Sequence, residues 1–304
     1  MKTSIGSWAY TIGPYADNPV DFDTVCEKLS KLGFDGVELG GFNPHPNPDD
    51  LKTKRERDRV IEKLNDSGLK FSGLAANLWG EKLINTSDQI QYIEAFKENC
   101  DFATDLKIET IRVDTVQPPT IFADVDYATA KKRVVDTWNL CTKIAADKGL
   151  KITWEVEPGF AFNKPSEILE ILDAVQASNF GLLYDTCHAQ MIGVMGARQN
   201  GEKQVFPSQL EFLELVGERI NHVHLIDSDN TLHKDNDGNE ETSNHIPFGQ
   251  GGLAFDEIIP ALLKYYDYNN WWTVDLCFWP DAWEATEKCA AFMANANKKY
   301  AKPS

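Results

Sequence analysis

The chain has 304 residues, 42% of them hydrophobic and 25% charged, with 30 lysines and arginines against 47 aspartates and glutamates. A formal charge of −17 and a pI near 4.8 oppose a role on nucleic acid, which needs a cationic footprint. No run approaches the ~20 apolar residues of a membrane span, and the N-terminus MKTSIGSWAY lacks the apolar core of a secretory signal.

Short strand-like runs alternate with helical patterns from end to end. Ile5–Tyr10 reads as the first strand. Asp21 caps a helix over Phe22–Leu32, whose Val25, Leu29 and Leu32 share one face before the stop at Gly33. Gly36–Leu39 is the second strand, followed by a charged amphipathic helix over Asp50–Asn65. Its basic stretch Lys52–Arg59 (KTKRERDR) is interleaved with acids and reads as a solvated face. The third strand is Lys70–Leu78, with a helix from Ser87 to about Leu106. The fourth is Thr110–Thr115, with a helix over Tyr127–Asp147. Lys151–Glu157 is the fifth strand, and Pro165 opens the next helix at a position that tolerates proline. Phe180–Tyr184, Asn221–Ile226 and Trp271–Leu276 are the sixth to eighth strands. Helices starting at Ser208, over Phe255–Tyr268 and over Asp281–Tyr300 complete the series.

Eight β-then-α units with no linker-like composition break predict one domain over residues 1–304. Parallel pairing through right-handed crossovers makes that domain a (β/α)8 TIM barrel of the α/β class. Two βα connections are long, at about 189–207 and 228–254, and long connections are commonly functional. Neither G-x-G-x-x-G nor G-x-x-x-x-G-K occurs, so a phosphate-cradling loop has no support. The six cysteines (Cys26, Cys100, Cys141, Cys187, Cys277 and Cys289) contain no C-x-x-C and suit a reducing, cytoplasmic compartment.

Barrels of this kind place their chemistry at the C-terminal ends of the strands. Each of the last four predicted strands ends in residues able to hold a metal: Glu155 and Glu157, then Asp185, then His222 and His224, then Asp275. Alternation turns Glu155 and Glu157 to one face, and likewise His222 and His224. Crowded carboxylates repel unless protons or a cation neutralise them, which points to one divalent metal ion. Three oxygens and one imidazole favour Mn²⁺, Mg²⁺ or Co²⁺ over Zn²⁺. Arg112 and Asp114 alternate with apolar neighbours and read as an internal salt bridge. His45 falls in a proline-rich loop and reads as exposed. His233 and His245 lie in the long connection after the seventh strand. Trp8, Trp79, Phe160, Trp279 and Trp283 fall near strand ends, where they could wall a ligand or pack in the core.

The segments GFDGVEL (33–39), TWEVEPG (153–159), LLYDTCH (182–188), HVHLID (222–227), FGQGGLAF (248–255) and TVDL (273–276) together resemble the xylose isomerase-like barrels. That group includes sugar phosphate isomerases and epimerases, ketose 3-epimerases and inositol-catabolism isomerases. The resemblance implies metal ligation by Glu155, Asp185, His224 and Asp275, with Glu157 an alternative to Glu155 on the same face. It places His188 beside the metal, facing substrate, and Glu38 at the end of the second strand in a substrate-binding or supporting role. Glu157 and His245 complete the candidate substrate-binding set. Asp275 stands where the family usually has glutamate. Ala161 stands where ketose epimerases carry an acid, and their arginine after the seventh strand has no counterpart in DSDNTLHKDNDG.

The activity implied is isomerisation or epimerisation of a sugar, keto-sugar or polyol. Glu155 and Asp275 would act as base and acid on the proton next to a metal-bound carbonyl, through an enediolate. Expulsion of a β-hydroxyl from the same intermediate would instead make the protein a lyase of the inosose-dehydratase type. An apurinic-site endonuclease and a non-catalytic sugar binder are weaker alternatives. The expected partner is a small sugar or polyol, with no nucleic acid and no membrane, and a homo-oligomer is compatible with the sequence.

Overall fold

A computed structural model describes residues 1–235 and 237–301. Eight parallel strands form the barrel: β1 (Lys2–Ile5), β2 (Gly36–Gly41), β3 (Lys70–Ala76), β4 (Thr110–Val113), β5 (Lys151–Glu155), β6 (Phe180–Asp185), β7 (Ile220–Leu225) and β10 (Trp271–Val274). β2 to β7 pair in chain order, β10 pairs with both β7 and β1, and a Gly6–Glu38 bridge joins β1 to β2. Every residue of β2 and β6 is buried, as parallel strands covered on both faces require.

The surrounding helices are α1 (Phe22–Leu32), α2 (Lys54–Asp66), α3 (Ile90–Asp105), α4 (Tyr127–Ala146), α5 (Pro165–Ala174), α7 (Gln209–Val216), α8 (Phe255–Leu262) and α9 (Ala282–Tyr300). Asp21 caps α1 by accepting the Thr24 amide at 2.9 Å, and Gly33 ends it in a left-handed conformation. Among the described residues no helix is long and apolar enough to cross a membrane.

Four local expectations change. The first strand covers Lys2–Ile5, and Ser7–Tyr10 is a 3-10 turn. That turn folds the Trp8 indole back over Gly6, where a Cβ would stand 2.3 Å from the ring, so only glycine fits. The 189–207 connection begins inside a helix, α6 (Thr186–Gly193), capped by Asp185 through the His188 amide at 2.8 Å. The 228–254 connection contains an antiparallel hairpin, β8 (Asp227–Lys234) with β9 (Glu240–Ile246). The D-N-D-G at 235–238 between two strand-capable runs is the hairpin signal. Finally, the 52–59 stretch is not wholly solvated. Arg57 is buried, donating to Leu51 O and to Asp105 at 2.9 Å each, with its guanidinium 5.1 Å from the centre of the Phe102 ring.

Candidate metal centre and substrate pocket

Strand register brings the acids and the imidazole to one depth. Asp185 lies opposite His224, Glu155 lies opposite Leu183, and the Asp275 amide continues the ladder by donating to Leu225 O at 3.3 Å. Glu155, Asp185, His224 and Asp275 each offer a ligand atom within 4.8 Å of the others, and none is more than 2% exposed. His224 Nδ1 stands 3.2 Å from Glu155 Oε1 and 3.5 Å from Asp275 Oδ2, so both carboxylates converge on one imidazole nitrogen. Glu157, the alternative strand-five donor, stands outside this four-residue group.

Supporting contacts orient the four. His224 Nε2 donates to Glu38 Oε1 at 3.1 Å, which turns Nδ1 toward the centre; His222 and Thr273 donate to Glu38 Oε2 at 2.7 and 2.8 Å. Burial works against the Glu38 charge, but His222 and His224 hold its carboxyl well below the usual range. Burial likewise opposes charge on His224, yet Glu38, Asp275 and Glu155 raise its pKa well above the imidazole norm. Arg112 binds Glu155 Oε2 at 2.8 Å and stands 3.8 Å from Asp114, so the internal salt bridge read from β4 reaches into the site. Against the effect of burial, Arg112 and His224 bring Glu155 down to about 2. The Trp8 indole and the Cys277 amide donate to Asp275 Oδ1 at 2.8 and 3.0 Å.

A wall beside the centre carries the remaining candidates. His188 Nδ1 shares a 2.8 Å hydrogen bond with Ser243, and Nε2 lies 3.4 Å from Glu157 Oε2, which accepts from Thr242 at 2.7 Å. Burial, reinforced by repulsion from Glu155, pushes Glu157 up to about 8. Glu157 lies beyond the end of β5 rather than on it, yet it still faces this wall. His245 Nδ1 is 3.4 Å from Asp275 Oδ1, and its Nε2 is 3.9 Å from Asp185 Oδ1. The β8–β9 hairpin thus supplies Thr242, Ser243 and His245. Asp227 anchors its base, accepting the Gly249, Gly251 and Leu253 amides at 2.9–3.1 Å. No pattern of residue types marked Thr242 or Ser243 in advance.

The centre opens into a cavity of about 660 Å³ walled by Trp8, Trp79, Phe160 and Phe278. His233 stacks on Phe278 at its rim, 4.2 Å between centroids. Val116, Arg198 and Phe278 line the cavity with positive φ, a strain of about 1–3 kcal/mol each that clusters at functional sites. Trp283 instead packs on Tyr10 and Lys28. His45 is also remote and, contrary to its loop setting, is buried. Its Nε2 meets Val20 O at 2.9 Å and its ring packs on Phe22, closing the loop over α1.

A family model described as xylose isomerase-like TIM barrel matches residues 26–293. The chain belongs to the xylose isomerase-like TIM-barrel family. Within it, the inosose dehydratase of Bacillus thuringiensis (strain Al Hakam) is 25% identical over 273 residues, covering 84% of this chain and 81% of its own length. The solved structure of the IolI protein with a binding zinc atom superposes with a TM-score of 0.74 at 20% identity, covering 99% of this chain and 100% of its own. A D-tagatose 3-epimerase-like protein gives 0.72 at 18% identity, covering 99% and 100%. These two likenesses place the fold of this family member.

The residues present fit a divalent cation. Glu155 Oε1, Asp185 Oδ2 and His224 Nδ1 are buried donor atoms without a hydrogen-bond partner, and all three belong to the four-residue cluster. Buried polar atoms rarely go unpaired, and three orphans in one cluster match the open valences of a metal site.

Proposed function

We propose that this protein is a divalent-metal-dependent enzyme that removes the proton next to the carbonyl of an uncharged keto-polyol or keto-sugar, with loss of water as the leading outcome. The observation that carries this reading is the convergence of orphaned Glu155, Asp185 and His224 atoms, with Asp275, at the floor of an aromatic-walled cavity. Its membership of the family and its relationship to dehydratases and epimerases make the chain an enzyme.

A cation on those four residues would supply Lewis-acid polarisation of a carbonyl and its neighbouring hydroxyl, acidifying the C–H beside them. Glu155 and Asp275 reach the same His224 nitrogen from different strand ends and would take and return that proton. In the dehydration, the C–H electron pair forms the new double bond and the β C–O bond breaks. The departing hydroxide leaves as water after gaining a proton from the Glu157–His188–Thr242 wall. Arg112 pins one Glu155 oxygen and leaves the other free. The cavity carries Asp235, Glu240 and Glu241 besides the cluster acids, against Arg112 and Arg198, which disfavours an anionic substrate.

The kinship with inosose dehydratase favours dehydration. The Glu155–Asp275 pair favours isomerisation or epimerisation as the second reading, because two carboxylates from different strand ends could take the proton from one position and return it to another. Mn²⁺, Mg²⁺ and Co²⁺ suit the oxygen-rich set, and the zinc of the IolI structure adds Zn²⁺ to the candidates. Six free thiols suit a cytoplasmic setting.

Incubation with keto-inositols and ketoses, followed by mass spectrometry, separates loss of water from mass-neutral rearrangement. Asp185→Asn should lose metal content and activity together, and full metal content in that variant would sink the assignment.

A further inference from the structure

His245 is a buried imidazole, 2% exposed, with neither ring nitrogen hydrogen-bonded. It does not come from a barrel strand but from β9, in a separate two-stranded sheet. Its nitrogens point at the two cluster acids from the cavity side, 3.4 Å from Asp275 Oδ1 and 3.9 Å from Asp185 Oδ1. Ligand atoms sharing a cation through bonds of ~2.0–2.2 Å stand roughly 3–3.5 Å apart, so the Nδ1–Asp275 spacing suits a shared ion bound through that one nitrogen, and His245, which stands outside the four-residue cluster, would close on it from the cavity side. The ring also packs against His188, 4.7 Å between centroids, and His245, His188 and Asp185 together offer three ligand atoms within 4.8 Å of one another.

We propose that His245 is a further ligand of the cation held by Glu155, Asp185, His224 and Asp275, so that filling the metal site latches the β8–β9 hairpin over the cavity. An isolated two-stranded hairpin is marginally stable at best, so its position over the mouth depends on ties to the barrel. Asp227 ties only its base. Nearer the centre, the ties are Ser243 to His188, Thr242 to Glu157 and the Cys187 thiol to Asn244 O, and further out Gln190 binds Asn230, Arg198 binds Glu241 O and His233 stacks on Phe278. A bond from His245 to the cation would be the strongest of them, and it would join the wall that contacts substrate to the ion that activates it. This rests on the metal-dependent reading above.

The test combines equilibrium dialysis with Mn²⁺ and hydrogen exchange of the 227–246 segment, with and without the ion. Wild type, His245→Gln and Asp185→Asn are compared. Wild type is expected to bind one ion per chain and to gain hairpin protection on loading. His245→Gln is expected to bind at least ~10-fold more weakly and, when saturated, to show hairpin exchange like the ion-free protein. His245→Cys loaded with Co²⁺ should show a thiolate-to-cobalt charge-transfer band, which a folding defect would not create. Unchanged affinity and protection in His245→Gln, or no band in His245→Cys, would overturn the latch and leave His245 to the substrate. Metal binding by wild type without hairpin protection, or two ions per chain, would do the same while the metal reading stands. No binding by wild type, or binding untouched by Asp185→Asn, would overturn the metal reading itself.

Discussion

Asp275 takes its orientation from one donor far from it in sequence, the Trp8 indole at 2.8 Å, and one beside it, the Cys277 amide at 3.0 Å. Trp8→Phe keeps most of the ring and removes that bond. Metal affinity, measured by competition with a chelator, should fall ~10–100-fold while thermal stability changes little. The four proposed ligands were legible because strand alternation and strand ends are written locally: an apolar run followed by Asp185, or His224 two after His222. The Arg112–Glu155 pair was not legible, because β4 and β5 side chains meet only when the barrel curves them together. Sequence proximity suggested Asp114 as the partner, whereas the shorter contact goes to Glu155.

At the scale of elements, helices announced themselves through caps and periodicity, and α1 begins and ends where Asp21 and Gly33 mark it. Short strands and turns did so less well. Ser7–Tyr10 has strand-like composition, yet it turns because Trp8 gains a buried hydrogen-bond acceptor by doing so. The loop after β2 is another case, held closed by buried His45. Burial lowers the His45 pKa below its ordinary 6.5, with the Val20 carbonyl and Asp21 opposing. The unfolded chain therefore takes up this proton at a higher pH than the folded one. The contribution to stability is complete above the unfolded value of 6.5 and is lost as pH falls from there through the folded value. Between those two values the slope is up to about 1.4 kcal/mol per pH unit. Denaturant titrations of wild type and His45→Gln at several pH values should show a steeper loss in wild type between pH 7 and 5.

For the whole molecule, a charge of −17 and an acidic cavity rim would together disfavour an anionic substrate under the proposed function. A phosphorylated keto-sugar should show kcat/KM at least ~10-fold below its unphosphorylated counterpart. The gap should narrow as salt screens the rim, within a Debye length of ~8–10 Å. Closure also belongs to this scale: β1 meets β10 and β2 from opposite ends of the chain, and Glu38 reaches His222 and His224 across the barrel interior. The sequence by itself determined the eight alternating units, the barrel class and the ends of β5, β6, β7 and β10 as the candidate site, because these follow from local periodicity and residue type. Only the tertiary structure decided that Glu38 supports His224 from beneath, that Glu155 rather than Glu157 joins the four-residue cluster, and that a hairpin brings Thr242, Ser243 and His245 over it. Those outcomes depend on distances between residues far apart in the chain, which are set by how the barrel closes and how its connections pack.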